Sequence, residues 1–254
     1  MPHAQSISSR RCPHTRIIHT HQYLKNNMNI NSIADTLCAM TFNGYVEIFG
    51  TLIGLVYLYL QYKARPLFWH VAIINAIPFV YLFLLKGNYA SAALFTYYLI
   101  VGVKMVFFTP KDENEGSGNV FTITNIPSRL YPRLLLTVTV ICGTLYLFLL
   151  NVEQIITALN GMFNFNLPVA TPRTPLADAF ATSLSFVGMW LLSKKYLEQW
   201  ILWVVVNTVF VYMQIVSDLY QWAALFTVYG IVAVMGYFNW RKLQRAQQPS
   251  AVSA

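Results

Sequence analysis

The stretch YASAALFTYYLIVGVKMVF, residues 89–107, returns later in the chain as YQWAALFTVYGIVAVMGYF, residues 220–238. At an offset of 131, the two stretches share 11 of 19 residues. An offset of 132 aligns Asn75 with Asn207. Three successive segments match in order, which predicts one three-helix unit used twice. The first of these segments is a short stripe, in which Glu47, Thr51 and Gly54 align with Asp178, Thr182 and Ser185.

The composition indicates a membrane protein. Of the 254 residues, 56% are hydrophobic and only 10% are charged, and the mean hydropathy is +0.49. A soluble domain carries about 25% charged residues. Seven apolar stretches approach the roughly 20 residues that a helix needs to cross a bilayer, and they lack the polar and apolar alternation of barrel strands. They cover residues 43–60, 67–85, 89–108, 134–152, 177–193, 199–216 and 221–239.

The number of spans explains the symmetry, because seven is three plus one plus three. A directly duplicated three-helix unit would place its copies in opposite orientations, and one intervening span restores the same orientation. We therefore expect an all-α integral membrane protein built from two parallel three-helix repeats, residues 43–108 and 177–240. Residues 109–176 then form a loop, a linker helix and a second loop, and residues 241–254 form a basic C-terminal tail.

Residues 1–42 form a polar N-terminal tail in this interpretation, with a surface helix expected over residues 30–42. The first 27 residues lack the apolar core of a secretory signal, and Met28 is an alternative start of the chain. His19 and His21 are more typical of a solvated tail than of a metal site. The cysteines have no C-x-x-C spacing, so neither a zinc site nor a disulfide framework is predicted.

Lys and Arg concentrate on one side of the predicted spans, as they do in short cytoplasmic loops. The loops of the opposite side hold only Lys86 and Arg173. This bias predicts a cytoplasmic C-terminus and accounts for the net charge of +8, so the lipid bilayer is the expected partner and nucleic acid is not. The residues of the basic side are Lys63, Arg65, Lys111, Arg129, Arg133, Lys194, Lys195, Arg241, Lys242 and Arg245.

The sixth span carries the clearest candidate substrate site. Trp200, Trp203 and Asn207 share one helical face, and Gln214 follows seven residues later. Indole faces stack on flat heterocycles, and an amide offers a donor and an acceptor to a ring substituent or a sugar hydroxyl. The alternative for the tryptophans is anchoring at the membrane interface. Asn207 lies deeper in the span, which favours a cavity or an interhelical hydrogen bond.

The repeated stripe supplies further candidates. Asp178, Thr182 and Ser185 share one face of the fifth span, and Asn75 of the second span is the counterpart of Asn207. Their equivalence across the repeat favours a role in lining a path. The alternative for Asp178 is helix capping, because an acidic residue near a helix start complements the helix dipole.

The third and seventh spans offer two sets of tyrosines. Tyr220 shares a face with Thr227, seven residues on, and Tyr89 is the counterpart of Tyr220 in the first repeat. Tyr98 and Tyr229 point elsewhere. We expect one set to line the path while the other packs, and we assign the lining role to Tyr89, Tyr220 and Thr227.

Internal repeats of this size are typical of secondary transporters, with the substrate site between the halves. A photoreceptor would need a Schiff-base lysine in its last span, and Lys242 lies beyond that span. An intramembrane enzyme would need clustered His, Asp or Glu, yet His70 is the only histidine after His21. Nucleotide-binding and nucleophile motifs are absent from the sequence. We expect a transporter rather than an enzyme, with no cofactor and no metal.

Several runs of residues carry a family resemblance. D-A-F-x-T-x-L-S-F begins at Asp178, S-K-K-Y-L-E-Q-W-I-L-W-V-V-V-N ends at Asn207, and V-E-I-F-G-x-x-x-G-L-V-Y-L-Y-L lies in the first half. Over about residues 43–242 the chain resembles the PnuC family of bacterial vitamin transporters. By that resemblance, Trp200, Trp203 and Asn207 match the substrate-binding motif W-x-x-W-x-x-x-N of the family.

The resemblance implies a seven-helix, SWEET-like bundle of the bacterial inner membrane, often trimeric, that moves nicotinamide riboside by facilitated diffusion. A separate cytoplasmic kinase then traps the substrate by phosphorylation. Thiamine or another vitamin is the alternative cargo, because the third span departs from the family pattern at N-Y-A-S-A-A-L-F and G-V-K-M-V. Both vitamins are aromatic cations, so a tryptophan cage suits either through cation–π attraction.

Overall fold

The computed structural model describes residues 42–109 and 121–247. The predicted tail, with its surface helix and with His19 and His21, lies outside the described residues apart from Phe42. Among the described residues, those from Asn43 onwards belong to one compact unit, the helical body. The helices are α1 Phe42–Tyr62, α2 Phe68–Leu85, α3 Tyr89–Val103, α4 Tyr131–Phe163, α5 Pro175–Ser193, α6 Gln199–Val216 and α7 Tyr220–Gln247.

Seven helices in the described part of the chain are long and apolar enough to cross a membrane, α3 being continued by a π-helical turn, Lys104–Phe108. The prediction of an all-α protein with seven membrane-spanning helices is thereby confirmed. Five of the spans agree with the predicted bounds to within two residues at each end. The bounds 134–152 and 221–239 were too short for α4 and α7.

The extra length of α7 is largely polar, and that of α4 mixes polar with apolar residues. Past Leu150, α4 continues through Asn151, Glu153 and Gln154, and α7 continues through Arg241, so residues 241–247 of the predicted tail are helical. The 33 residues of α4 span about 50 Å, more than the roughly 30 Å of hydrocarbon. Hydropathy marks the part of a helix that lies in lipid, whereas the backbone hydrogen bonds of the helix continue into water.

The turn between α2 and α3 requires glycine. Gly87 has φ +69°, and a Cβ at this position would lie 2.5 Å from the carbonyl oxygen of Pro168. The next residue, Asn88, accepts a hydrogen bond from the Ser91 amide at 3.2 Å and so caps α3. This turn fixes where α3 enters the bundle.

Two pairs of neighbouring helices make the most extensive contacts in the described body. α2 packs on α3, α6 packs on α7, and α5 contacts α3, α4 and α6. Each of the first two pairs meets at a glycine. A Cβ on Gly102 would lie 3.0 Å from Ile73, and a Cβ on Gly236 would lie 2.6 Å from the Trp200 indole.

An extended segment, residues 121–127, covers the end of the bundle where α1 ends and α6 begins. The Thr124 amide donates to the Lys195 carbonyl at 3.1 Å, and the Leu197 amide donates to the Thr124 carbonyl at 2.9 Å. Phe121 is 1% exposed and packs against Phe68 and Trp240. The bundle is therefore closed at this end by an aromatic layer.

Candidate substrate site

A cavity of about 430 Å³, the main cavity, lies inside the helical body. Its lining comes from every helix except α4. It extends from a mouth at Glu47, Lys86 and Asp178 to a base at Gln61 and Trp200. This volume is in the usual range for small-molecule sites.

Aligned positions of the two predicted repeats face the main cavity together. Both members of each aligned stripe pair line it, and so do both asparagines, Asn75 and Asn207. The third helix of each repeat contributes in the same way, through Leu94 with Leu225, Phe95 with Phe226 and Tyr98 with Tyr229. The lining is therefore built from matching parts of two halves.

The predicted face of α6 lines the main cavity from base to mouth, through Trp200, Trp203, Asn207 and Gln214. Trp200 is fully buried and meets Trp240 edge to face, with ring centroids 5.5 Å apart. Trp203 meets Tyr98 edge to face at 6.4 Å. These contacts fix the orientation of both indoles.

Three polar atoms of this lining have no hydrogen-bond partner among the residues the structure describes. They are the indole Nε1 atoms of Trp200 and Trp203 and the Oδ1 atom of Asn75, and all three are buried. An unpaired buried polar group costs about 1–3 kcal/mol. Two donors and one acceptor in one cavity are the groups that a polar ligand would satisfy.

The second asparagine is already engaged. The amide nitrogen of Asn207 donates to the Trp203 carbonyl of its own helix at 2.7 Å. A Cβ on Gly230 of α7 would lie 3.6 Å from the Asn207 Cβ, so the two helices approach closely here. The side chain of Asn207 is thereby fixed at the wall of the main cavity.

The two aligned acids at the mouth differ in their partners. Glu47 accepts from the Lys86 ammonium at 3.1 Å. Asp178 is 7% exposed and accepts from the Thr182 hydroxyl at 3.2 Å. Asp178 and Gln214 also line a second cavity of about 470 Å³, which adjoins the mouth.

Eight predicted site residues line the main cavity. Tyr89 lines the second cavity instead, and its hydroxyl donates to the Pro168 carbonyl at 2.6 Å. Tyr220 is 63% exposed, and the Thr227 hydroxyl donates to the Ala223 carbonyl of its own helix. Neither of these two lines either cavity. The eight are Trp200, Trp203, Asn207, Gln214, Asp178, Thr182, Ser185 and Asn75.

Sequence reasoning missed Tyr98 and Tyr229, which line the main cavity. Tyr98 interacts with the Ser185 hydroxyl, and the Tyr229 hydroxyl lies 3.8 Å from a Cβ placed on Gly54. Each tyrosine of one half thus faces the counterpart position on the other half. The alignment of the two repeats marks Tyr98 and Tyr229 as an identical pair. It marks Tyr89 and Tyr220 in the same way, so identity alone does not say which pair lines the cavity.

Seven apolar helices, six of which line a polar and aromatic cavity, define a multi-pass membrane protein of the transporter class. The model of the nicotinamide mononucleotide transporter family matches residues 44–242. The chain therefore belongs to that family, and the predicted resemblance to PnuC proteins is confirmed. The nicotinamide riboside transporter PnuC of Escherichia coli (strain K12) is 23% identical over 216 residues, which cover 82% of this chain and 90% of the relative.

Two further comparisons agree. The nicotinamide riboside transporter PnuC of Shigella flexneri is also 23% identical, over 82% of this chain and 90% of its own length. A crystal structure of the vitamin B3 transporter PnuC superposes with a TM-score of 0.58 at 17% identity, over 85% of this chain and 89% of the other. At this identity the superposition shows a shared fold.

Proposed function

We propose that the protein carries nicotinamide riboside across the bacterial inner membrane by facilitated diffusion. The observation that carries the proposal is the main cavity, where aromatic walls surround the unpaired indole groups of Trp200 and Trp203 and the unpaired oxygen of Asn75. The relatives named as nicotinamide riboside transporters support this cargo. Thiamine or another vitamin remains the alternative.

The chemistry of nicotinamide riboside matches this lining. The pyridinium ring is flat and positively charged, so it stacks on indole and phenyl faces with a cation–π contribution. Its carboxamide and ribose hydroxyls supply acceptors for the two indole N–H groups and a donor for Asn75. The binding residues in this proposal are those eight that line the main cavity, together with Tyr98 and Tyr229.

We propose that two parallel three-helix repeats, residues 43–108 and 177–240, move against each other around this cavity, with α4 as the linker. The support is that aligned residues of both halves line it, as expected for a site on a pseudo-twofold axis. Uniport is favoured because the acidic groups of the lining, Glu47 and Asp178, lie near helix ends rather than at mid-bilayer. A cytoplasmic kinase would then trap the cargo by phosphorylation.

We also propose a cytoplasmic C-terminus and a homotrimer. Lys63, Lys195 and Arg241 lie at the closed end of the bundle, and an excess of basic residues is typical of the cytoplasmic side. The trimer rests on the family resemblance. The cavity would then open towards the outside, with segment 121–127 beneath it.

Binding to purified protein in detergent tests the cargo. Tryptophan fluorescence is followed while nicotinamide riboside and thiamine are titrated in parallel, because two of the indoles line the cavity. Saturable quenching by nicotinamide riboside alone supports the proposal, and saturation by thiamine alone changes the vitamin. Folded protein that responds to neither contradicts it. In proteoliposomes, uptake should follow the substrate gradient and be insensitive to imposed proton or sodium gradients.

A further inference from the structure

Four charged side chains of the described residues line the two cavities. Glu47 and Lys86 line the main cavity and neutralise each other in their 3.1 Å ion pair. Arg173 lines the second cavity, but it is solvent-exposed and contacts Asp218 at 3.5 Å. The fourth is Asp178, which lines both cavities and makes no ion pair within residues 42–109 and 121–247. One uncompensated carboxylate is therefore left at the junction of the two cavities.

The surroundings of Asp178 do not satisfy a buried anion. Within the described ranges, its one hydrogen bond comes from Thr182, and no backbone N–H of α5 donates to its carboxylate. Helix capping thus does not explain why an acidic residue stands at this position, although the helix dipole favours a negative charge there. A buried carboxylate with one neutral donor is costly unless it takes up a proton or a cation approaches it.

The position of Asp178 suits a role before the cargo reaches the indoles. Along α5, ten residues separate it from Gly188, which contacts Trp203, and this corresponds to about 15 Å. A ligand that moves from the second cavity into the main cavity passes the carboxylate. Phe83, Phe210 and Trp222 line the main cavity as well, so the acid faces a largely aromatic lining.

We infer that Asp178 is the charge-selecting residue of this transporter, and that the site takes monovalent aromatic cations in preference to their neutral forms. The inference rests on the proposed function and deepens it. A metal ion does not fit, because hard cations need six or more oxygen ligands and the described residues hold no group of three His, Cys, Asp or Glu. A large, weakly hydrated cation needs one counter-charge and aromatic faces.

The test compares Asp178→Asn with the wild type. Asparagine keeps the volume and an acceptor for Thr182 but removes the charge. Dissociation constants are measured for nicotinamide riboside, for its neutral dihydro form and for thiamine. We expect the variant to bind the cations about sixfold more weakly, as for unit charges about 15 Å apart at an effective dielectric constant of about 20. The dissociation constant of the neutral form should change less than about threefold.

Asp218→Asn is the matched control. Asp218 carries the same charge at the same end of the bundle, lines neither cavity, and has φ +59°, which asparagine tolerates well. The Asp218→Asn variant should bind the cationic and the neutral ligands as the wild type does. Asp178→Glu should recover part of the affinity for the cations.

The outcomes separate this inference from the proposed function. Equal losses for the cationic and neutral forms, or no loss at all, overturn the role of Asp178 while nicotinamide riboside remains the cargo. A charge-dependent loss seen with thiamine alone supports Asp178 and overturns the cargo. If Asp178→Asn does not fold, the wild type still decides: it should bind nicotinamide riboside more tightly than the dihydro form, and the reverse order overturns the inference.

Discussion

The two halves of the cavity wall use aligned positions of the sequence and differ in what they offer a ligand. On α6, Trp200 and Trp203 line the main cavity beside Asn207. The aligned residues of α2, at the offset that pairs Asn75 with Asn207, are Phe68 and Val71, and neither lines it. The second half therefore supplies the indoles. The first half supplies one asparagine and a phenyl surface formed by residues such as Phe83 and Phe95.

The acids at the mouth show the same divergence. Glu47 is neutralised by Lys86, and its counterpart Asp178 is not paired with a cation in the described part of the chain. Aligned positions thus carry different side chains, and the second half provides both the indoles and the carboxylate without an ion pair. The comparison predicts that substitutions in the second half will damage transport more than their counterparts in the first.

The largest expected effect is that of Trp203→Ala. It removes an aromatic face worth about 1–3 kcal/mol in stacking, by analogy with bases on aromatic side chains, so uptake into proteoliposomes should fall to background. Val71→Ala is the aligned control and should retain uptake, because Val71 does not line the cavity. Normal uptake by folded Trp203→Ala would remove the indole from the site.

A second comparison uses the interhelical glycines. Gly236→Ala places a Cβ 2.6 Å from the Trp200 ring, which is fully buried and has little room to move. Displacing that indole should lower uptake by about tenfold or more, in keeping with an overpacking cost of about 1–3 kcal/mol. Gly102→Ala meets only the Ile73 side chain at 3.0 Å and should cost less. Equal losses in the two variants would contradict a special role for Trp200.

The asparagines should differ in stability as well as in uptake, with the larger loss of uptake for Asn207→Leu. Asn75→Leu removes an unpaired buried acceptor, so it should raise the melting temperature of the detergent-solubilised protein while lowering uptake about fivefold. Asn207→Leu removes an amide that is already bonded to the Trp203 carbonyl, so it should lower uptake without raising the melting temperature. A lower melting temperature for Asn75→Leu would show that its oxygen is satisfied in the free protein.

The smallest expected effect is that of Glu47→Gln. The Glu47 carboxylate and the Lys86 ammonium are partly exposed, and ion pairs of this kind contribute about 0–1 kcal/mol. Uptake of nicotinamide riboside should fall about two- to threefold. Adding Lys86→Gln should restore it, because the charge of the lining then returns to its original value. A loss as large as that of Asp178→Asn would contradict the electrostatic difference between the two halves.

Periodicity predicted the fold and much of the candidate site. The α6 residues were found because helical spacing alone places Trp200, Trp203 and Asn207 on one face. The tyrosines show the limit of this reasoning. Helical spacing places Tyr220 and Thr227 on one face of α7, but it does not say which face of α7 meets the other repeat. The packing turns the face that carries Tyr229 towards the main cavity.

Two other features lie beyond sequence reasoning for physical reasons. Segment 121–127 begins with a short apolar and polar alternation, F-T-I-T, but its position depends on partners far along the chain, such as Lys195 and Gln247. The difference between Glu47 and Asp178 depends on Lys86, which comes close only when α1 and α2 pack. Contacts between distant residues, rather than local propensity, decide both.

The most direct test of the account is an experimental structure of the protein with nicotinamide riboside bound. The account predicts the nicotinamide ring in van der Waals contact with Trp203 inside the main cavity, with ligand oxygens bonded to the indole nitrogens of Trp200 and Trp203. A ligand seated against the phenyl surface of the first half, or outside the main cavity with both indole nitrogens still unpaired, would contradict it.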